Sequence, residues 1–137
     1  MENKNSEEIR RAVQDQYGKI AKNVTQIQGG CSNTPCCGDT PTSSDKIARA
    51  LGYSSQEINS VPQGANLGLG CGNPKAIAAL KPGETVLDLG SGGGFDCFLA
   101  ANEVGAIGKV IGVDMTAEMV SKACENASKI ETNNIEF

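Results

Sequence analysis

The chain has 137 residues, room for one ordinary domain, and its 12 Lys plus Arg against 16 Asp plus Glu leave a formal charge of −4. That balance argues against a nucleic-acid partner, which selects a basic face, and the complete absence of His removes Ser-His-Asp and Cys-His nucleophile systems and every His-containing zinc site. The charged start MENKNSEEIRR and the lack of any run near ~18 apolar residues argue against a leader or a membrane partner, so a cytoplasmic protein with six reduced cysteines is predicted.

Residues 6–24 place Ile9, Val13, Tyr17, Ile20 and Val24 at spacings of three and four behind Ser6, Glu7 and Glu8, which predicts an amphipathic helix. Gly18 in its middle costs about 1 kcal/mol relative to Ala, so packing must hold this helix. Residues 28–44, QGGCSNTPCCGDTPTSS, have no period and read as a loop carrying Cys31, Cys36 and Cys37. DKIARAL predicts a short helix capped by Ser43 or Ser44 and stopped at Gly52. Ser54 and Glu57 form a capping-box pattern for a further brief turn that ends at Val61-Pro62. Asn73 can then cap, and Pro74 open, a helix running to Leu80.

From residue 83 the texture alternates. ETVLDLG reads as a strand, SGGG as a turn, and FDCFLAANEV as a helix ending at Gly105. KVIGVDM is a second strand, Thr116 opens a helix with Met119, Val120, Ala123, Ala127 and Ile130 at helical spacing, and NNIEF begins a third strand. This order predicts an α/β sandwich on a parallel sheet of about three strands.

The strongest motif is Asp88-Leu89-Gly90-Ser91-Gly92-Gly93-Gly94, at the junction of a strand and a helix, where bare backbone and free N–H groups can approach a ligand. A P-loop needs Gly-Lys-Ser/Thr, which is missing. A dinucleotide fingerprint wants a small residue at position 95, where Phe95 stands. Asp88 would oppose a pyrophosphate but suits an ammonium group, and Asp114, at the end of the second strand, can accept from ribose hydroxyls. A ligand with a ribose, a cationic amino acid part and no phosphate is S-adenosylmethionine. At these residues the sequence resembles the class I S-adenosylmethionine-dependent methyltransferases, whose D-x-G-x-G-x-G pattern is met by Asp88, Gly90, Gly92 and Gly94. The resemblance implies a Rossmann-like methyltransferase sandwich and a cofactor site of Asp88, Gly90, Ser91, Gly92, Gly94, Asp114 and Met115, the last against the adenine, with Gly70 and Asn73 beside it.

Cys31, Cys36 and Cys37 lack the C-x2-C knuckle of structural zinc, and no resident metal is expected. Flexible thiolates suit a soft, trivalent metalloid better. Cys97 and Cys124 fall within predicted helices and read as packing residues. Cys71, between Gly70 and Gly72 and just before a helix, is open to a chemical role as an exposed thiol favoured in its thiolate form, or to a buried structural one.

The run Val61-Pro62-Gln63-Gly64-Ala65-Asn66-Leu67-Gly68-Leu69-Gly70-Cys71-Gly72-Asn73-Pro74 resembles the signature of arsenite methyltransferases. That resemblance implies methyl transfer from S-adenosylmethionine to arsenite or methylarsenite. Cys71 matches the family's N-terminal cysteine in a thiol and disulfide cycle, Cys36 or Cys37 matches its upstream cysteine, and a thioredoxin-like or small-thiol reductant is the implied partner. Attack by an arsenic lone pair needs no general base, so the missing His is no objection.

Residues 1–65 are then a helical segment with the cysteine loop, and 66–137 the first half of the methyltransferase domain. The resembled fold has seven strands. A fragment or truncated product is therefore expected, without the family's arsenic-binding cysteines, inactive on arsenite by itself and able to self-associate through an uncovered sheet edge. Two alternatives stand beside this reading: thiol-based sequestration of metalloid without catalysis, and methyl transfer to a small organic acceptor.

Overall fold

A computed structural model describes residues 5–26 and 43–137. Its elements are helices α1 (Ser6–Gln26), α2 (Ser43–Ala50), α3 (Ser55–Ser60) and α4 (Lys75–Ala78), then strand β1 (Thr85–Leu89), α5 (Phe95–Val104), β2 (Lys109–Val113), α6 (Ala117–Ala127) and β3 (Ile135–Glu136). The three strands form one parallel sheet in the order β1-β2-β3, with Thr85 opposite Lys109, Leu89 opposite Val113 and Val110 opposite Ile135. The expected alternation from residue 83 is borne out in order, type and strand direction.

α5 is the centre of the molecule because it is apolar on nearly all sides, the pattern of a helix covered all round. Toward the sheet, Cys97, Ala100, Ala101 and Val104 pack with Val110, and Leu80, Val86, Ile135 and Phe137 close that cluster. Toward the N-terminal helices, Leu99 packs with Ala48, Tyr53 and Ile58. The expected division at residue 65 thus crosses a shared core.

α3 begins as its sequence demands. The Ser54 hydroxyl accepts from the Glu57 amide while the Glu57 carboxylate accepts from the Ser54 amide. α4 is shorter than predicted: it stops at Ala78, and Ala79 takes a left-handed conformation at φ 46°. The chain leaves the helix there because Leu80 is drawn into the core under α5.

α1 packs against α6 through an unpredicted face. Ile9 and Tyr17 of the expected apolar stripe stay largely exposed, whereas Ala21 and Gly18 are buried. A Cβ on Gly18 would lie 3.1 Å from the Glu118 carboxyl carbon, so this position faces the tip of a movable side chain on α6. Lys22 pairs with Glu118 at 3.0 Å, and the Gln14 amide donates to the Met115 carbonyl at 2.9 Å.

Candidate functional site

At the end of β1 the chain turns through Gly90 to Gly94 into α5. Gly90 and Gly92 have φ of 84° and 53°, in the left-handed region, and a Cβ on either would meet nothing within 4 Å. The loop therefore presents bare backbone to a cleft of about 130 Å³. Of the expected cofactor residues, Asp88, Gly90, Ser91, Gly92 and Gly70 line this cleft together; Tyr53 and Asp96 line it too. Gly94 does not: a Cβ there would lie 2.8 Å from the Phe98 and Phe137 rings, so its place is in the packing of α5 on the sheet.

Two carboxylates and a buried hydroxyl belong to residues that line the cleft. The Cys97 thiol donates to Asp88 Oδ2 at 3.2 Å, and burial followed by the Asp88 charge pushes that thiol up, keeping it a protonated donor. The Tyr53 hydroxyl donates to Asp96 Oδ1 at 2.6 Å. Burial raises Asp96 most, with the Asp88 charge acting in the same direction against the Tyr53 hydrogen bond. Ser91 is only 8% exposed, and its Oγ makes no hydrogen bond among the described residues. A buried hydroxyl without a partner is costly.

Asp114 stands outside the cleft but is joined to it. Its Oδ2 accepts from the Gly92 amide at 3.0 Å and its Oδ1 from the Thr116 amide at 2.9 Å, so it ties the glycine loop to the start of α6. Each oxygen keeps a further lone pair. Met115 is half-exposed and does not line the cleft. Asn73 Oδ1 accepts from the Ala76 amide at 3.2 Å, the capping role predicted for it. Cys71 is exposed beside Gly70, yet α4 is a single turn of four residues, so the electrostatic support expected from a helix end is small. Cys31, Cys36 and Cys37 lie outside the described residues. Cys97 is buried as expected, whereas Cys124 is exposed and does not serve packing. Among the described residues no group of three or more His, Cys, Asp or Glu comes together around a metal-sized position.

Sequence reasoning missed four supporting residues: Tyr53, Asp96, Cys97 in its contact with Asp88, and Asn126. The last is fully buried on α6, and its side-chain amide donates to the Gly93 carbonyl at 3.0 Å while its Oδ1 accepts from Lys129 at 3.0 Å. Lys122 is buried beside it and pairs with Glu125 at 3.2 Å. The available signal was periodic: Met119, Lys122, Ala123 and Asn126 share one helical stripe, and two of them are polar.

The methyltransferase-domain family matches residues 80–137. An arsenite methyltransferase of Halobacterium salinarum is 53% identical over 96% of this chain and 34% of that protein. Another, of Aquipseudomonas alcaligenes, is 35% identical over 84% of this chain and 30% of its own length. Among solved structures, an arsenic(III) S-adenosylmethionine methyltransferase of Chlamydomonas reinhardtii shares 33% identity over 66% of this chain and 31% of that one, with a TM-score of 0.43. The chain spans about a third of the length of the curated relatives it matches. The motif and the cysteine-bearing segment before it fall within the matched region, and the fold is the class I methyltransferase α/β sandwich. By its sequence, nearly the whole chain is similar to about a third of the arsenite methyltransferases, and its residues 80–137 match the methyltransferase-domain family.

Proposed function

We propose that the cleft between the glycine loop and the Gly70 segment holds the amino acid part of S-adenosylmethionine, and that a protein of the relatives' length uses it to methylate trivalent arsenic. The observation that carries this reading is the buried Ser91 hydroxyl, which makes no hydrogen bond among the described residues, beside a glycine backbone with no side chain over it and next to Asp88. A hydroxyl suits a carboxylate, and Asp88 suits an ammonium group. A volume of about 130 Å³ fits such a head group and not a whole nucleoside, since pockets for complete ligands run to several hundred Å³.

When bound, S-adenosylmethionine supplies an electrophilic methyl group on a sulfonium. The chain's own residues bind and orient: Asp88 and Ser91 take the amino acid part over the bare backbone of Gly90 and Gly92, with Gly70 on the facing wall and Asn73 holding the segment behind it. The free lone pairs of Asp114 take the ribose, and Met115 lies against the adenine. Catalysis rests on this positioning, since methyl transfer to a lone pair needs no proton removed. Cys71, with Cys36 or Cys37, belongs to a thiol and disulfide cycle that returns arsenic to its trivalent state and draws on a thioredoxin-like or small-thiol reductant. Its exposure supports that role. No helix among the described residues is long and apolar enough to cross a membrane, and a cytoplasmic location fits the thiol chemistry.

The 137 residues alone are proposed to bind cofactor without turning over arsenite. Incubation with arsenite, S-adenosylmethionine and a thiol tests this; methylarsenicals above a no-enzyme control would overturn it. Self-association is the proposed fate of the uncovered side of β1, where Leu87 and Leu89 are exposed.

A further inference from the structure

The Tyr53 hydroxyl carries one proton and lies between two acceptors from different segments. Asp96 Oδ1, in the first turn of α5 under the glycine loop, is 2.6 Å away; the carbonyl of Gly72, next to Cys71, is 3.2 Å away. Tyr53 is buried, and its ring packs edge-on against Phe95 at 4.9 Å and 72°, so the hydroxyl is held at this junction. The far side of the cysteine segment is fixed independently, by Asn73 capping α4 and by Lys75 bonding Glu57 and Glu103 at 2.7 and 2.8 Å. A carboxylate is a stronger acceptor than an amide carbonyl. Asp96 therefore takes the short bond, and Gly72 receives the weaker share.

We propose that Tyr53 is a positioning residue that couples the charge on Asp96 to the hold on the Cys71 segment. Whatever draws off the negative charge of Asp96 shifts the Tyr53 proton toward the Gly72 carbonyl and tightens the backbone beside Cys71. Asp88 is the other charged group acting on Asp96, and both line the cleft, so an ammonium group lodged beside them has this effect. The tie between Tyr53 and Gly72 stands on geometry alone; its ligand response rests on the cofactor reading above.

The test is mass-spectrometric: amide hydrogen exchange of residues 69–73 and the alkylation rate of Cys71, on the whole 137-residue chain. Tyr53→Phe keeps the ring and removes both bonds, and about three- to tenfold faster exchange and alkylation are expected, the worth of one ordinary hydrogen bond. Asp96→Asn should act in the opposite direction, slowing both, because the uncharged acceptor leaves more of the proton to Gly72. A merely structural pair would speed both variants. If Tyr53→Phe melts, Asp96→Asn decides by itself: slower exchange supports the coupling, while equal or faster exchange overturns it. In the ligand arm, saturating S-adenosylmethionine should slow Cys71 alkylation in the wild type and not in Tyr53→Phe. Calorimetry on the same wild-type sample separates the two failures. Absence of binding heat would count against the cofactor reading, and heat without slowing against the coupling.

Discussion

Glu57 has one oxygen on the Ser54 amide and the other 2.7 Å from Lys75. The Lys75 hydrogen bond, then those to Ser54, lowers its pKa from an ordinary 4.5 to about 2. A folded value below the unfolded one means stability present above about 4.5 that is lost as pH falls toward 2. Glu57→Gln should therefore cost about 1–3 kcal/mol at neutral pH and flatten the acid limb of urea-denaturation midpoints. Asn126→Ala should cost about 2 kcal/mol in the same assay, because it leaves the buried Gly93 carbonyl without its donor. At the cleft, Asp88→Asn should weaken S-adenosylmethionine about tenfold, the worth of one charge-assisted bond, and leave 5′-methylthioadenosine, which has no ammonium group, nearly unchanged in calorimetry.

Among the elements, α1 is held by a small-residue face, and two substitutions at Gly18 are expected to act in opposite directions. Glu118 is partly exposed and can move aside for one methyl, so Gly18→Ala should raise stability by about 0.5–1 kcal/mol through helix propensity. Gly18→Leu should separate α1 from α6 and lower the thermal midpoint. Hydropathy could not show this face, because Gly18 and Ala21 carry almost no apolar signal while Ile9 and Tyr17 carry much. The strands were legible because their burial alternates, and α5 because its apolar run is bounded by the glycine turn and Gly105. The capping box was legible because its chemistry is local. By contrast, the pairing of Tyr53 with Asp96 and of Asn126 with Gly93 joins residues far apart in sequence, which no local pattern encodes. The polar members of the buried stripe of α6 were missed although they share its period: Asn126 is inside because the distant Gly93 carbonyl takes its amide, and Lys122 because Glu125, one turn away, pairs with it. The glycine loop itself was readable, but not that Gly94 serves two aromatic rings while Gly90 and Gly92 face the cleft.

Across the whole molecule, the sheet is covered unequally. α5 packs on one face of the strands, whereas on β1 and β2 Leu87, Leu89 and Val113 are 59%, 74% and 46% exposed. Contiguous apolar surface of this kind drives association. Sedimentation velocity should show concentration-dependent association of the wild type, and Leu87→Lys with Leu89→Lys should return it to monomer.

Calorimetric titration with S-adenosylmethionine and, separately, with NAD decides whether the glycine-lined cleft beside Asp88 and Ser91 takes the proposed cofactor. One-site heat with S-adenosylmethionine and none with NAD is the predicted result; heat with NAD alone would contradict it.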